Sequence, residues 1–225
     1  MAGLQEGGIA LIDYRAGNLT SVRKAFSALG ADLFTPASAT DLADAAAIVV
    51  PGVGHFGATR ALGPDWIDAI LARVGEGRPL LGICLGMQWL FEGSDEAPDL
   101  PGLGLFSGRC YRLRGHRDGL GQAAERGDGA PGVMPGVIKV PHVGWNSLDL
   151  RSDASIVEGI APGAQVYFTH SFVAPVTGDT VAVTEHGEPF AAIVQRGHVA
   201  GVQFHPEKSG DVGLQVLRNF LSLVG

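Results

Sequence analysis

Arg78-Pro79-Leu80-Leu81-Gly82-Ile83-Cys84-Leu85-Gly86-Met87-Gln88 is the stretch on which the fold of this chain turns. Leu80 to Ile83 is a short apolar run that reads as a buried strand. It begins just after a proline, a residue that can open a strand but not sit within a sheet. Cys84 follows between two glycines, Gly82 and Gly86, and Leu85 to Phe91 is helix-forming. Strand, nucleophile and helix in that order make a nucleophile elbow, where small neighbours permit a strained turn that lifts the reactive side chain out of the sheet. A helix N-terminus carries partial positive charge, which favours the thiolate of a cysteine placed there. The competing interpretation is packing, because free cysteine is among the most buried residue types. A partner base decides between them.

Around this stretch lies a chain of 225 residues, 46% hydrophobic and only 17% charged, which is the composition of one globular domain with a sizeable core. The net charge of −7 argues against a nucleic-acid or anionic-membrane partner, since no basic face can dominate. Two distant cysteines, Cys84 and Cys110, do not make a disulfide framework. Met1 to Gly8, a short leader, has neither the basic region nor the apolar core of a signal peptide, and no apolar run approaches the length of a membrane span. A soluble, cytoplasmic protein is expected.

Ile9 to Tyr14 reads as a first buried strand. Gly17-Asn18 opens a helix with Leu19, Val22, Phe26 and Leu29 at helical spacing, ended by Gly30. Strands at Ala31–Thr35 and Ala47–Val50 follow, separated by a short helical stretch near Asp41 to Ala45. A helix at about Pro64 to Val74 then leads to the strand that presents Cys84. Strands alternating with helices predict βαβ units. The fold class is therefore α/β: an open, mostly parallel (mixed) sheet flanked by helices, with the elbow after a central strand. Ligands of such sheets bind outside the carboxyl ends of strands, where Asp13–Asn18, Pro51–Phe56 and the elbow lie. The loop Pro51–Gly54 is either an ordinary turn or an anion nest beside the nucleophile.

Further on, Arg109 to Arg114 reads as a strand, and Gly115 to Gly136, with seven glycines and little periodicity, as a loop insertion. Pro141 to Asn146 reads as a loop and Gln165 to Val173 as a strand. Thr180–Glu185, Phe190–Gln195 and His198–Phe204 form two successive hairpin-like pairings turned at His186-Gly187 and Arg196-Gly197. A helix from about Ser209 to Val224 closes the chain.

The base sought for Cys84 lies in Gly201-Val202-Gln203-Phe204-His205-Pro206-Glu207-Lys208, a strand running into a loop with a His and a Glu two residues apart. A cysteine nucleophile needs a base within hydrogen-bond reach, and the base needs an acceptor that fixes its tautomer. Cys84, His205 and Glu207 fill those roles for acyl transfer through a thioester. The Leu85 N–H is one oxyanion donor, and a second can come from the Pro51–Gly54 loop. From the residues alone this is a hydrolase or transferase of unspecified substrate. The seven histidines show no metal-ligand spacing, and no metal or cofactor is expected.

Gly82-Ile83-Cys84-Leu85-Gly86-Met87-Gln88 with His205-Pro206-Glu207 resembles the class I (triad) glutamine amidotransferases. Within them the chain is similar to the family of glutaminase subunits of imidazole glycerol phosphate synthase, of histidine biosynthesis. That likeness is carried by Asp13-Tyr14 with Gly17-Asn18-Leu19, by Pro51–Phe56, Pro141–Asn146 and Tyr167–Phe172, and by Gln203–Gly210. It runs from about Ile9 to the C-terminus. It implies hydrolysis of glutamine to glutamate and ammonia, with ammonia passing to a partner cyclase, a (β/α)8 barrel, in a heterodimer. It also implies residue roles: Cys84 as nucleophile, His205 as base and Glu207 as its orienter, with the N–H groups of Val53 and Leu85 as the oxyanion hole. Gln88 and Glu96 would hold the α-groups of glutamine, with backbone of Gly54, Ser171 and Phe172 beside His170. Asn18, Trp145, Tyr167 and Lys208 would meet the cyclase. The family further implies a weak glutaminase when alone, switched on through the Gly52-Val53 backbone when the cyclase binds its ligand.

Arg15-Ala16 stands where the family often has glycine and a small residue or proline, and Gly115–Gly136 is longer than usual. Three rivals remain: a glutaminase serving pyridoxal phosphate or nucleotide biosynthesis, a stand-alone γ-glutamyl hydrolase with a wide cleft, and a non-enzymatic relative. The Pro141–Asn146 motif speaks against the first, the docking-like loops against the second, and the intact Cys84, His205 and Glu207 against the third.

Overall fold

The computed structural model describes residues 7–114 and 138–224. Most of the leader and the glycine-rich stretch expected as an insertion, Gly115–Gly136, lie outside the described residues. In chain order the strands are β1 (Ile9–Leu11), β2 (Leu33–Phe34), β3 (Ala47–Val50), β4 (Leu80–Ile83), β5 (Gly93–Ser94), β6 (Arg109–Arg112), β7 (His142–Ser147), β8 (Asp149–Leu150), β9 (Gln165–His170), β10 (Phe172–Val173), β11 (Thr180–Glu185), β12 (Pro189–Arg196) and β13 (Val199–Val202). The α-helices are α1 (Leu19–Ser27), α2 (Pro64–Gly75), α3 (Leu85–Trp89) and α4 (Gly210–Ser222).

An eight-stranded sheet in the order β2-β1-β3-β4-β13-β12-β11-β8 forms the frame. Its β2, β1, β3, β4 and β13 run parallel, and the β13-β12-β11-β8 side is antiparallel, so the expected mostly parallel, mixed sheet is present. Strand alternation feeds two cores. Ile9, Leu11, Leu81 and Ile83 face one side with Val22 and Phe26 of α1 and Val216, Leu217 and Phe220 of α4. Ala10, Ile48 and Leu80 face the other side with Ile70 of α2 and Met87 and Trp89 of α3. The period of two along each strand is what allows helices to cover both faces.

The helix ends follow local chemistry. The Asn18 side chain accepts the Ser21 N–H at 3.3 Å and caps α1. Gly30, at φ 76°, closes that helix, with the Ala31 N–H reaching the Phe26 carbonyl at 3.1 Å. Pro64 sits at the start of α2, where a missing N–H costs nothing.

Two expectations are corrected. Pro141–Asn146 is not a loop: His142 to Ser147 is strand β7, paired antiparallel with all of β9. Its His, Gly and Asn content hides the strand, because the pairing comes from a partner 18 to 28 positions on. Gln165–Val173 is not one strand but two. The chain changes partner at Ser171, whose carbonyl accepts the Leu113 N–H at 2.9 Å, and β10 then pairs with β6.

Candidate active site

β4 lies inside the sheet between β3 and β13, and its last residue Ile83 is in register with Val202. That register places Cys84 beside Gln203 and brings His205, three residues past the end of β13, to the same edge. Cys84 adopts φ 54° and ψ −107°, and apart from Arg15 it is the one described non-glycine residue at positive φ. The strain expected of an elbow is present. Its neighbours must be small: a Cβ on Gly82 would lie 2.7 Å from the Gly86 carbonyl oxygen, and a Cβ on Gly86 only 1.8 Å from that of Val50. The helix after the elbow is shorter than expected, five residues, because Leu90 and Phe91 turn back through bonds to Met87 and Gln88.

His205 and Glu207 form a buried pair, Nδ1 to Oε1 2.9 Å, with side chains 2% and 3% exposed. Burial, the largest single influence, pulls the His205 imidazole down. Hydrogen bonding and charge from Cys84 and Glu207 outweigh it and push the group up to about 9. The Nε2 atom, on the Cys84 side, has no hydrogen-bond partner of ordinary geometry. The loop that holds the base is itself braced. The His205 N–H donates to the Tyr167 carbonyl at 2.9 Å, and the Ser209 hydroxyl donates to the His205 carbonyl at 2.7 Å while accepting the Tyr167 N–H.

A cavity of about 290 Å³ opens beside the thiol. It is lined by Gly54, Gln88, Glu96, His170, Ser171 and Phe172 together with Cys84, Leu85, Pro141 and Thr169, so every residue expected at the glutamine site reaches it. The Gln88 amide donates to the Phe172 carbonyl at 2.8 Å and to Gln203 Oε1 at 3.1 Å. Glu96 Oε2 accepts the Phe56 N–H at 2.6 Å, tying the cavity wall to the loop after Pro51–Gly54. His170 is held low first by burial and then by His142, whose Nδ1 lies 3.2 Å from its Nε2.

The two expected oxyanion donors do not converge. The Leu85 N–H donates to the Gly52 carbonyl at 3.3 Å and the Val53 N–H to the Ala16 carbonyl at 3.4 Å, and Val53 is not among the residues lining the cavity. For both donors to serve an oxyanion, the Gly52–Val53 peptide has to turn. Arg15, one residue before Ala16, sits at φ 62°, the left-handed conformation that glycine adopts without strain.

Gln203 is a site residue to which the sequence assigns no role. Its amide donates to Cys84 Sγ at 3.7 Å and it is fully buried. The available signal was a polar residue between Val202 and Phe204 in an otherwise apolar run.

Among the residues expected at a partner surface, Trp145, Tyr167 and Lys208 come together. Trp145 and Tyr167 stack edge to face at 6.1 Å, and the Lys208 ammonium stands 5.9 Å from the Tyr167 ring centre. Trp145 and Val143 are each 57% exposed and share one face of β7. Asn18 is exposed too, but its side chain is engaged as the cap of α1.

The fold and this site define a class that sequence comparison identifies: the family model of the class-I glutamine amidotransferases matches residues 10–223, and the chain belongs to that family. Within it, the chain is similar along nearly its whole length to imidazole glycerol phosphate synthase subunit HisH of Deinococcus radiodurans, 40% identical over 94% of this chain and 92% of the relative. The subunit of the same name from Methanothermobacter thermautotrophicus is 39% identical over 96% of this chain and 98% of the relative. Among solved structures, a glutamine amidotransferase superposes with a TM-score of 0.69 at 22% identity, covering 97% of this chain and all of that one. PurLQS from Thermotoga maritima superposes at 0.71 with 16% identity, covering 98% and 100%. These two likenesses speak for the fold.

Proposed function

We propose that this chain, as one glutamine amidotransferase domain, hydrolyses glutamine to glutamate and ammonia through a thioester on Cys84. The ammonia goes to a cyclase subunit, a (β/α)8 barrel, which makes imidazole glycerol phosphate and aminoimidazole carboxamide ribotide in cytoplasmic histidine biosynthesis. The observation that carries this reading is the cavity beside the thiol. At about 290 Å³ it stands at the small end of ligand sites, a size suited to one free amino acid. The kinship with HisH subunits supports the pathway.

The Cys84 thiol gives its proton to His205, the sulfur attacks the side-chain amide carbon, and the carbonyl oxygen takes the negative charge. His205 gives a proton to the departing nitrogen, which leaves as ammonia. His205 then takes a proton from water, whose oxygen attacks the thioester, and glutamate leaves as Cys84 is restored. Glu207 holds the imidazole with Nε2 toward sulfur. Glu96 supplies the negative charge that the substrate ammonium needs, and Gln88 with backbone of Gly54, Ser171 and Phe172 holds the remaining α-groups.

The oxyanion donors need the Gly52–Val53 peptide to turn, which supports a site that rests closed and opens when the partner engages. Exposed Val143 and Trp145, with Tyr167 and Lys208, form the partner face, since an apolar pair on an exposed strand marks a docking surface. Because the Tyr167 carbonyl holds the His205 N–H, that face is one residue removed from the base. The experiment measures glutamate release by the chain alone, with the cyclase subunit, and with cyclase plus its nucleotide ligand. A large rise in the last mixture is expected. Equal, brisk turnover in all three would overturn the gated-subunit function.

A further inference from the structure

Tyr14 belongs to a motif for which the mechanism above finds no use, and its position is unusual. The side chain is 5% exposed, and its hydroxyl is buried with no hydrogen-bond partner. Such a group is rare in a folded protein, because it has lost its water and gained nothing in return. The hydroxyl lies against the peptide that blocks the oxyanion site: a Cβ on Gly52 would stand 1.9 Å from it and 2.9 Å from Leu85 Cβ. Burial, and then the proximity of Cys84, hold the phenol far above its ordinary range, so it keeps its proton and remains a donor.

In the arrangement described, the Gly52 carbonyl has the Leu85 N–H as its donor. When the peptide turns to release that N–H to an oxyanion, the carbonyl loses its partner in a buried region. An unpaired carbonyl would oppose the turn, and the adjacent Tyr14 hydroxyl is a free donor. We propose that Tyr14 is a positioning residue for the oxyanion site: its hydroxyl takes over the Gly52 carbonyl when that carbonyl leaves the Leu85 N–H. The orphan hydroxyl then biases a two-state peptide, raising the closed state and stabilising the open one. The proposal rests on the glutaminase function above.

Tyr14→Phe keeps the ring and removes only the donor. Glutamate release by the variant and the unaltered chain is compared in complex with the cyclase subunit and its nucleotide ligand. The loss of one hydrogen bond made only in the open state lowers kcat by about tenfold and leaves KM for glutamine within about twofold. Synthesis driven by added ammonia stays unchanged. The Tm of the isolated chain stays equal or rises, since phenylalanine fills the same space without an unpaired hydroxyl. Unchanged kcat would overturn the role of Tyr14, and so would a fall in kcat accompanied by a fall in Tm, which marks simple packing. Absence of glutamine turnover in the unaltered complex would overturn the glutaminase function and this proposal with it, so the two failures are distinct.

Discussion

The His205–Glu207 pair makes a measurable demand on the pH dependence of stability. The His205 imidazole rises from its usual 6.5 to about 9 in the folded chain, despite burial that by itself would lower it. Because the folded value lies above the unfolded one, the folded state holds a proton that the unfolded chain releases. The stabilisation is complete below pH 6.5, declines as pH rises, and is gone above about pH 9. At about 1.4 kcal/mol per pH unit, that interval is worth roughly 3 kcal/mol. The side chain is 2% exposed, so solvent screening takes little from that figure. Glu207→Gln removes one of the two groups that oppose burial, leaving Cys84 alone to do so, and the imidazole should fall toward or below its usual value. Urea unfolding of both proteins between pH 6 and 10, taken as a difference, cancels the groups they share. The unaltered chain should lose about 3 kcal/mol more than the variant across that range. Equal losses would refute the coupling, and a larger loss in the variant would reverse its sign.

Other outcomes follow from the same geometry. Gly86→Ala drives a Cβ to 1.8 Å from the Val50 carbonyl, so thermal unfolding should register a loss of about 3 kcal/mol or more. Gly75→Ala, at the end of α2 with nothing within 4 Å of the new Cβ, should be neutral or gain a few tenths of a kcal/mol. Cys84→Ala should abolish glutamine use and leave ammonia-driven cyclase activity intact; residual glutamine turnover would remove Cys84 as the nucleophile. Trp145→Ala, at a residue 57% exposed, should leave Tm within about 2 °C yet weaken cyclase binding about 30-fold in a titration.

Much of the frame is local and therefore legible in the chain itself. Ala47–Val50 and Leu80–Ile83 are apolar runs bounded by proline or turn residues, and their observed bounds agree with the sequence reading. The helix from Pro64 declares itself by a proline at its first turn and an apolar stripe. The Cys84 elbow needs only Gly82 and Gly86, whose small size is written in the sequence, while the backbone oxygens that require it are not. Conversely, Ile9–Tyr14 shrinks to Ile9–Leu11, because pairing with β2 ends at Ala10 and pairing with β3 at Leu11.

What tertiary structure alone decides is how residues far apart in the chain meet. Composition and periodicity put a strand before Cys84 and another before His205, but their adjacency is a matter of sheet order. The register of Ile83 with Val202 is what sets a buried Gln203 amide on the Cys84 sulfur, 119 positions away. β7 exists only because β9 pairs with it along its whole length, which no local propensity of His142–Ser147 could announce. The Gly52 carbonyl on the Leu85 N–H and the unpaired Tyr14 hydroxyl behind it are likewise invisible in the sequence. Residue types and spacing determine which groups the chain owns and which local turns it makes. Hydrogen bonds across the sheet, formed at distances the local pattern does not encode, determine which of those groups face one another.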